Sequence, residues 1–159
     1  RVLPRSILNH IRGQTDSEYF FLLMMFYYHR LSDKKSVLER LASSFDLALK
    51  QIICFLEAEG VYDHRSTINV VITNGRELFA SRFGSWRRGR KYNKTLRWLQ
   101  GDSIEFSGKN FRVSSRLKRP KFTMVASEKI VTDEPAWQMV PENHFFLLNA
   151  NHGYRLVSI

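Results

Sequence analysis

The chain has 159 residues and a formal net charge of +10, from 25 Lys and Arg residues against 15 Asp and Glu residues. This length fits one domain, and a hydrophobic content of 43% can build a sizeable core, which excludes a wholly disordered chain. The single cysteine, Cys54, excludes an intramolecular disulfide framework and a cysteine-based metal cluster.

The N-terminal residues lack the basic, apolar and small-residue order of a signal peptide. The longest apolar run, residues 19–28, is much shorter than the roughly 20 apolar residues that a membrane span requires, so it predicts a buried core helix. We therefore expect a cytoplasmic protein with no membrane partner. The first residue is Arg1 rather than Met, which leads us to expect a processed product or a fragment.

Two helices are predicted first. Thr15 and Glu18 have the spacing of a capping box, in which the hydroxyl caps the first turn and the carboxylate reaches back. The apolar run then continues to about Arg30. A second helix is predicted from about residue 33 to residue 59, because apolar residues recur there at three- and four-residue spacing, and Gly60 supplies its end.

The apolar period then changes from 3.6 to 2, which indicates strands. Asn74 and Gly75 predict a two-residue hairpin turn, with positive φ at both, between strands 67–73 and 77–83. Further strands are predicted at residues 103–106, 110–114, 122–126, 144–149 and 154–158. Helices followed by strands, without βαβ alternation, predict an α+β fold with helices packed on a largely antiparallel sheet.

The positive charge is concentrated in residues 76–119, which hold 13 basic and 3 acidic residues. The densest part contains Arg87, Arg88, Arg90, Lys91, Lys94 and Arg97, with Trp86, Tyr92 and Trp98 interleaved. Cations that meet phosphates and aromatic rings that stack on bases are typical of nucleic-acid binding. No recognisable nucleic-acid module accompanies the patch, so a solvated basic loop at about residues 84–94 is the favoured alternative.

Few residues are candidates for chemistry on local pattern. Asp16 stands at a helix N-terminus, which stabilises a carboxylate by about 0.3–1 kcal/mol, and its hydrogen bond to a ligand ammonium would contribute about 1.5–3 kcal/mol. The plainer alternative is that Asp16 only supports the helix start. Ser127 and Glu128 close a strand and are typical of a turn. Cys54 is expected in the core, and no histidine has metal-site spacing, so no metal or cofactor is expected.

Three blocks of sequence together carry a family resemblance. Residues 13–18 read GQTDSE before an apolar helix, residues 69–83 read NVVITNGRELFASRF, and residues 125–128 and 137–143 read VASE and WQMVPEN. The first block resembles the G-x-TDSE segment of class-II glutamine amidotransferases. The other two resemble the N-x-x-x-T-D-G-x-x-L-x-x-x-R and ASEPL…W-x-x-VP-x-N segments of one branch. That branch includes the amidotransferase-like subunit of the glutathione-degradation complex and the ergothioneine-pathway γ-glutamyl hydrolase.

The resemblance implies an incomplete αββα N-terminal-nucleophile hydrolase sandwich. Residues 1–159 would be the C-terminal portion of one glutamine amidotransferase domain, with a helical pair at about 15–60 and a mainly β part at about 66–159. In the family a cysteine at the mature N-terminus attacks the γ-amide of glutamine or a γ-glutamyl linkage, and its α-amine can serve as base. An Asn-Gly segment stabilises the oxyanion.

The aspartate of the family's TDSE motif holds the α-amino group of the substrate, a role that the resemblance assigns to Asp16. Thr15, Ser127 and Glu128 are its further substrate-binding candidates. Two departures concern the catalytic groups: Cys54 lies in the wrong element, and neither the family's carboxylate-binding arginine nor its His-Asn-Gly oxyanion segment precedes Thr15. No catalytic residue is therefore expected in this chain, which alone is predicted to be inactive.

The resemblance leads us to expect that the intact protein hydrolyses a γ-glutamyl amide, glutathione being one candidate substrate, and that a partner protein subunit is involved. Two alternatives stay open. One is a non-catalytic interaction module of the same fold. The other is a nucleic-acid-binding protein that uses the basic segment 84–119.

Overall fold

A computed structural model describes residues 5–62, 66–84, 94–107, 110–114, 120–130 and 136–159. The chain divides into two compact units, Arg1–His64 and Arg65–Ile159. In the described residues the first unit holds the helices and the second holds the strands. The predicted α+β class and the order of helices before strands are therefore confirmed. The predicted packing of the helices on a sheet stays a prediction.

The first unit contains α1 (Arg5–Leu8), α2 (Asp16–Tyr28) and α3 (Val37–Ala58). An edge-on contact between the rings of Phe20 and Phe45, with centroids 5.2 Å apart, joins α2 to α3. The helix α3 starts later than predicted because Ser36 and Glu39 form a complete capping box, in which the Ser36 hydroxyl accepts from the Glu39 N–H and the Glu39 carboxylate accepts from the Ser36 N–H.

Arg40 ties the start of α3 to the end of α2. Its Nη2 donates to the carbonyl of Tyr28, the last residue of α2, at 3.0 Å, and its guanidinium lies 4.1 Å from the centre of the Tyr28 ring. Its Nη1 pairs with Asp33 at 2.8 Å. A cation at a helix C-terminus satisfies carbonyls that lack partners inside the helix, so Arg40 fixes the turn between the two helices.

The helix α3 ends just before Gly60, as predicted, but its last turns are more exposed than predicted. Gly60 has a φ of 76°, and Val61 N–H donates to the Leu56 carbonyl while Gly60 N–H donates to the Glu57 carbonyl, which is a Schellman end. The prediction of a core position for Cys54 is wrong, because this side chain is exposed. The buried positions of α3 lie in its first two thirds: Leu38, Leu41, Ser44, Phe45, Ala48 and Leu49.

The helix α2 is apolar on every side, yet only one side is buried. Phe20, Leu23 and Met24 are buried, whereas Tyr19 and Phe21 are 41% and 43% exposed. The interpretation of the whole run as buried core is therefore only partly right. Among the described helices, none has the length and apolar content that a bilayer crossing requires.

The described strands of the second unit all pair antiparallel. They are β1 (Thr67–Thr73), β2 (Leu78–Gly84), β3 (Arg97–Gly101), β4 (Ser103–Ser107), β5 (Asn110–Ser114), β6 (Phe122–Ala126), β7 (Gln138–Met139), β8 (His144–Leu148) and β9 (Tyr154–Ser158). One sheet has the order β1-β2-β8-β9, a second has the order β6-β3-β7, and β4 and β5 form a hairpin. The sequence did not predict β3 or β7.

The strand β3 lies between two apolar clusters, since its neighbouring side chains point to opposite faces. On one face Trp98 packs with residues of β2 and β8, such as Ala80 and Phe146. On the other face Leu99 packs with Trp137 and with residues of the β4–β5 hairpin, such as Val113. The second sheet is thus covered on both faces within its own unit.

The β1–β2 turn is displaced by one residue from its predicted position. Thr73 is the register partner of Leu78, and the Asn74 N–H donates to the Glu77 carbonyl, so Gly75 and Arg76 are the central pair. Gly75 has a φ of 84°, whereas Asn74 has no positive φ. A positive φ at the first central residue is typical of a type II′ turn, rather than the predicted turn with two positive values.

Candidate functional site

The start of α2 brings two predicted site residues, Thr15 and Asp16, together. Thr15 is the N-cap residue, with extended backbone, and its Oγ1 accepts a hydrogen bond from the Glu18 N–H at 3.3 Å. Asp16 follows as the first helical residue and is exposed. The predicted cap is confirmed, and it places the Asp16 carboxylate beside the free N–H groups of the first turn.

The two oxygens of the Asp16 carboxylate differ in their surroundings. Oδ1 accepts from the Ser17 N–H at 2.8 Å and from the Ser17 hydroxyl at 3.4 Å. Oδ2 accepts no hydrogen bond from any residue that the structure describes. One oxygen is therefore held by the helix start, while the other is an open anionic acceptor, which suits a ligand ammonium.

Glu18 reaches further back than the capping box predicts. Its Oε1 accepts from the Arg12 N–H and its Oε2 from the Gly13 N–H, both at 2.8 Å, instead of from the N–H of Thr15. A Cβ at Gly13 would come within 2.8 Å of Glu18 Oε2. The incoming loop thus closes tightly over the first turn and fixes the direction from which the chain enters Asp16.

The other two predicted site residues, Ser127 and Glu128, follow β6 in the second unit. The Ser127 carbonyl accepts a hydrogen bond from the Thr95 hydroxyl. Both Ser127 and Glu128 are exposed, and neither the Ser127 hydroxyl nor the Glu128 carboxylate has a partner in the described part of the chain. The turn therefore has an anchored backbone and two open polar side-chain groups.

Two polar residues, Asn69 and Arg82, contact the backbone segment that anchors this turn. The sequence did not mark them as functional. Asn69 and Arg82 are register partners across β1 and β2. Asn69 Nδ2 donates to the Thr95 carbonyl at 2.9 Å, and Arg82 Nε donates to the Lys94 carbonyl at 3.0 Å. Arg82 Nη1 also donates to the Val140 carbonyl at 2.7 Å. The sequence signal for them was their place in the N-x-x-x-T-D-G-x-x-L-x-x-x-R resemblance.

The four predicted site residues fall into one pair in each unit. Thr15 and Asp16 are adjacent at the N-terminus of α2, and Ser127 and Glu128 are adjacent after β6. Each pair is held by hydrogen bonds within its own unit.

Cys54 lies near the end of α3 and is exposed, and nothing about its position suits a nucleophile at an N-terminus. Within the described residues, no group of three His, Cys, Asp or Glu side chains is placed to hold a metal ion.

The basic segment is only partly described. Residues 85–93, which include Trp86 and Tyr92 and most of its dense cations, lie outside the described residues. Trp98 is 3% exposed and packs against Phe146 and Tyr154, with ring centroids 5.0 and 4.3 Å away. Trp98 therefore belongs to the core, and the interpretation of its ring as a stacking surface for bases is wrong.

The fold is similar to the solved structure of a glutamine aminotransferase class-II domain protein from Silicibacter pomeroyi, with a TM-score of 0.63 and 18% sequence identity. The similarity covers 99% of this chain and 58% of that protein, so the chain spans little more than half of its length. No family model and no curated protein matches the chain. At this identity the likeness concerns the fold.

Proposed function

We propose that this chain is the C-terminal portion of a class-II glutamine amidotransferase-like domain whose intact protein hydrolyses a γ-glutamyl amide bond. The observation that carries the proposal is the open Oδ2 of Asp16, a carboxylate oxygen held at a helix N-terminus in a chain whose fold is similar to a class-II domain. In this proposal the domain is the incomplete αββα sandwich that the resemblance implies. In the same proposal the protein is cytoplasmic and works with a partner protein subunit.

Asp16 binds the α-ammonium group of the glutamyl substrate through Oδ2. Ser17 holds Oδ1 from the backbone and from its hydroxyl, so the carboxylate is already oriented before the ligand arrives. A hydrogen bond between two charged groups contributes about 1.5–3 kcal/mol, and a site that is already ordered loses little of it to entropy.

The nucleophile and the oxyanion donors come from residues outside these 159. The family resemblance makes the nucleophile a cysteine at a mature N-terminus, activated by its own α-amine. Cys54, the single cysteine of this sequence, is inside α3 and does not take that role. The 159-residue chain alone is therefore proposed to bind without catalysing, and γ-glutamyl hydrolysis by this chain alone would contradict this part of the proposal.

The resemblance also proposes Thr15, Ser127 and Glu128 as substrate-binding residues. Thr15 acts mainly through its cap, because its Oγ1 already accepts from Glu18 N–H. Ser127 and Glu128 offer a hydroxyl and a carboxylate to polar groups of the substrate. Glutathione, glutamine and other γ-glutamyl compounds all present the same ammonium, so the substrate is proposed here as a class.

The test uses the intact protein, assayed with glutamine, glutathione and γ-glutamyl-p-nitroanilide. Asp16→Asn keeps the shape of the side chain and removes its charge, so KM rises by about tenfold or more, which corresponds to at least about 1.4 kcal/mol of lost binding. The matched control is Asp46→Asn, a half-exposed aspartate of α3 whose pair with Lys50 spans 3.7 Å. An unchanged KM in Asp16→Asn removes Asp16 from the site.

The absence of turnover by the intact wild-type protein would contradict the proposed hydrolysis. The remaining interpretation would then be a non-catalytic interaction module of the same fold. The parent gene separates the two directly: an encoded Met-Cys start and a His-Asn-Gly segment favour the enzyme, and a gene that lacks both favours the module.

A further inference from the structure

The strands β1 and β2 hold a neighbouring segment by its backbone. Two successive carbonyls, of Lys94 and Thr95, accept hydrogen bonds from Arg82 Nε and Asn69 Nδ2, at 3.0 and 2.9 Å. Backbone carbonyls are present at every residue, so this contact fixes the path of the segment rather than its sequence. Because the two donors are register partners, they share one face of the β1–β2 pair and hold residues 94 and 95 there.

Arg82 holds a second segment at the same time. Its Nη1 donates to the Val140 carbonyl at 2.7 Å, and the Val140 N–H in turn donates to the Leu96 carbonyl at 2.9 Å. Leu96 and Val140 are both buried in the cluster between the two sheets. One planar guanidinium with donors in a fixed geometry therefore locks two chain segments onto β2, which a lysine ammonium does not reproduce.

The held segment ends beside the Ser127–Glu128 turn. The β3–β6 ladder pairs Arg97 with Ala126. Continued by two residues, that register places Thr95 opposite Glu128, just beyond the end of the ladder. There the Thr95 hydroxyl donates to the Ser127 carbonyl. A side-chain hydrogen bond thus replaces the backbone ladder where the turn begins.

We propose that Asn69, Arg82 and Thr95 form a backbone relay whose task is to position the Ser127–Glu128 turn for substrate binding, an inference that rests on the proposed function. None of the three touches substrate in this proposal, so they are positioning residues. Glu128 then offers its carboxylate as an acceptor for N–H groups of the substrate. The backbone that carries this side chain is already fixed before the substrate binds. Affinity benefits because the turn does not have to be ordered on binding.

The hydrogen bond from the Thr95 hydroxyl to the Ser127 carbonyl can be removed with little change in side-chain shape. Thr95→Val removes the hydroxyl and keeps the volume, and Thr95→Ser keeps the hydroxyl. The matched control is Thr67→Val, an exposed threonine of β1 whose hydroxyl has no partner in the described residues. Arg82→Lys is a second, independent test. It keeps the positive charge but cannot hold the Lys94 and Val140 carbonyls at the same time.

The first experiment measures amide hydrogen exchange of the intact protein over residues 126–130. In Thr95→Val, exchange there becomes about tenfold faster or more, since the carbonyl anchor of the turn is lost, while the β1–β2 amides keep wild-type rates. Thr95→Ser and Thr67→Val exchange as wild type does. Unchanged exchange over residues 126–130 in Thr95→Val overturns the relay.

The second experiment measures steady-state kinetics with γ-glutamyl-p-nitroanilide. Thr95→Val and Glu128→Gln each raise KM about fivefold or more with kcat within about twofold, and the double variant is no worse than Glu128→Gln alone. Thr95→Ser restores the wild-type KM, which a loss of general stability would not explain. Additive effects of Thr95→Val and Glu128→Gln overturn the functional part of the proposal.

The two experiments keep the failures apart. An intact protein without γ-glutamyl turnover overturns the proposed function and the functional part of the relay, while hydrogen exchange still decides whether the turn is held through Thr95. If the intact protein turns over the substrate and Thr95→Val leaves KM unchanged, the proposed function stands and the role of the relay in it is overturned.

Discussion

The start of α2 and the turn after β6 both present a carboxylate with an open oxygen, but different contacts hold them. At the helix start every contact is local: Glu18 reaches Arg12 and Gly13, and Thr15 and Ser17 complete the set. At the turn the holding contacts join residues that lie 12 to 58 positions apart. Local contacts are encoded in a short stretch of sequence, whereas the second arrangement exists only once the second unit has folded.

The difference predicts how far a substitution acts. A change at the helix start should affect the first turn of α2 and little else. A change at Arg82 should act on the core between the two sheets and on the turn together, because Arg82 holds the carbonyl of Val140 in that core and the carbonyl of Lys94 in the segment that anchors the turn. Four substitutions test this contrast, and the expected loss of stability falls from one to the next.

Arg82→Gln should cost the most, about 2–4 kcal/mol in the free energy of unfolding, because two backbone carbonyls lose charged donors, one of them in a partly buried contact. Urea unfolding of the variant gives the value. Arg76→Gln, in the exposed β1–β2 turn, is the matched control and should stay within about 0.5 kcal/mol of wild type. Equal effects of the two variants would break the contrast.

Thr15→Ala removes the N-cap of α2 and should cost about 1 kcal/mol in the free energy of unfolding. Ser36→Ala, which removes the cap of α3, should cost a similar amount because the hydrogen bond is the same. Hydrogen exchange should report faster opening only in the first turn of the affected helix. Faster exchange throughout the first unit after Thr15→Ala would show that the helix start is not a local arrangement.

Gly13→Ala should cost about 0.5–1 kcal/mol, because the new Cβ displaces the movable end of Glu18 and weakens its two hydrogen bonds to backbone N–H groups. Urea unfolding again provides the measurement. In a Glu18→Ala background the same substitution should cost almost nothing further, since the displaced carboxylate is gone. Additive costs would contradict the close contact between residues 13 and 18.

Glu128→Gln should have the smallest effect on stability, below about 0.5 kcal/mol, because the side chain is exposed and has no partner among the described residues. Thermal or urea unfolding checks this value. A larger loss would mean that Glu128 stabilises the fold, and its proposed role as a ligand group would need a different argument.

The features that depend on short-range contacts could be predicted from the sequence. The Thr15 cap and the strands β1 and β6 have the predicted positions, because capping residues and period-2 alternation are short-range signals. The β1–β2 turn is one residue off, since Gly75 alone supplies the positive φ and the Asn74 side chain accepts from the Glu77 N–H instead.

The rest depended on tertiary packing. The strand β3 is covered on both faces, so its residues do not alternate, and Arg97 made it look like part of the basic segment. Cys54 is apolar in context, yet the end of α3 that carries it is more exposed than its start. The backbone relay was not predictable, because its acceptors are carbonyls that any residue type provides.

The central claim is that Asp16 recognises the α-ammonium group of a γ-glutamyl substrate. The most direct measurement compares γ-glutamyl-p-nitroanilide with glutaryl-p-nitroanilide, which lacks only that group, in the intact wild-type protein, in Asp16→Asn and in the Asp46→Asn control. Wild type and control should prefer the γ-glutamyl compound by about 10- to 150-fold in kcat/KM, and Asp16→Asn should lose most of that preference. An Asp16→Asn protein that keeps the wild-type preference would contradict the account.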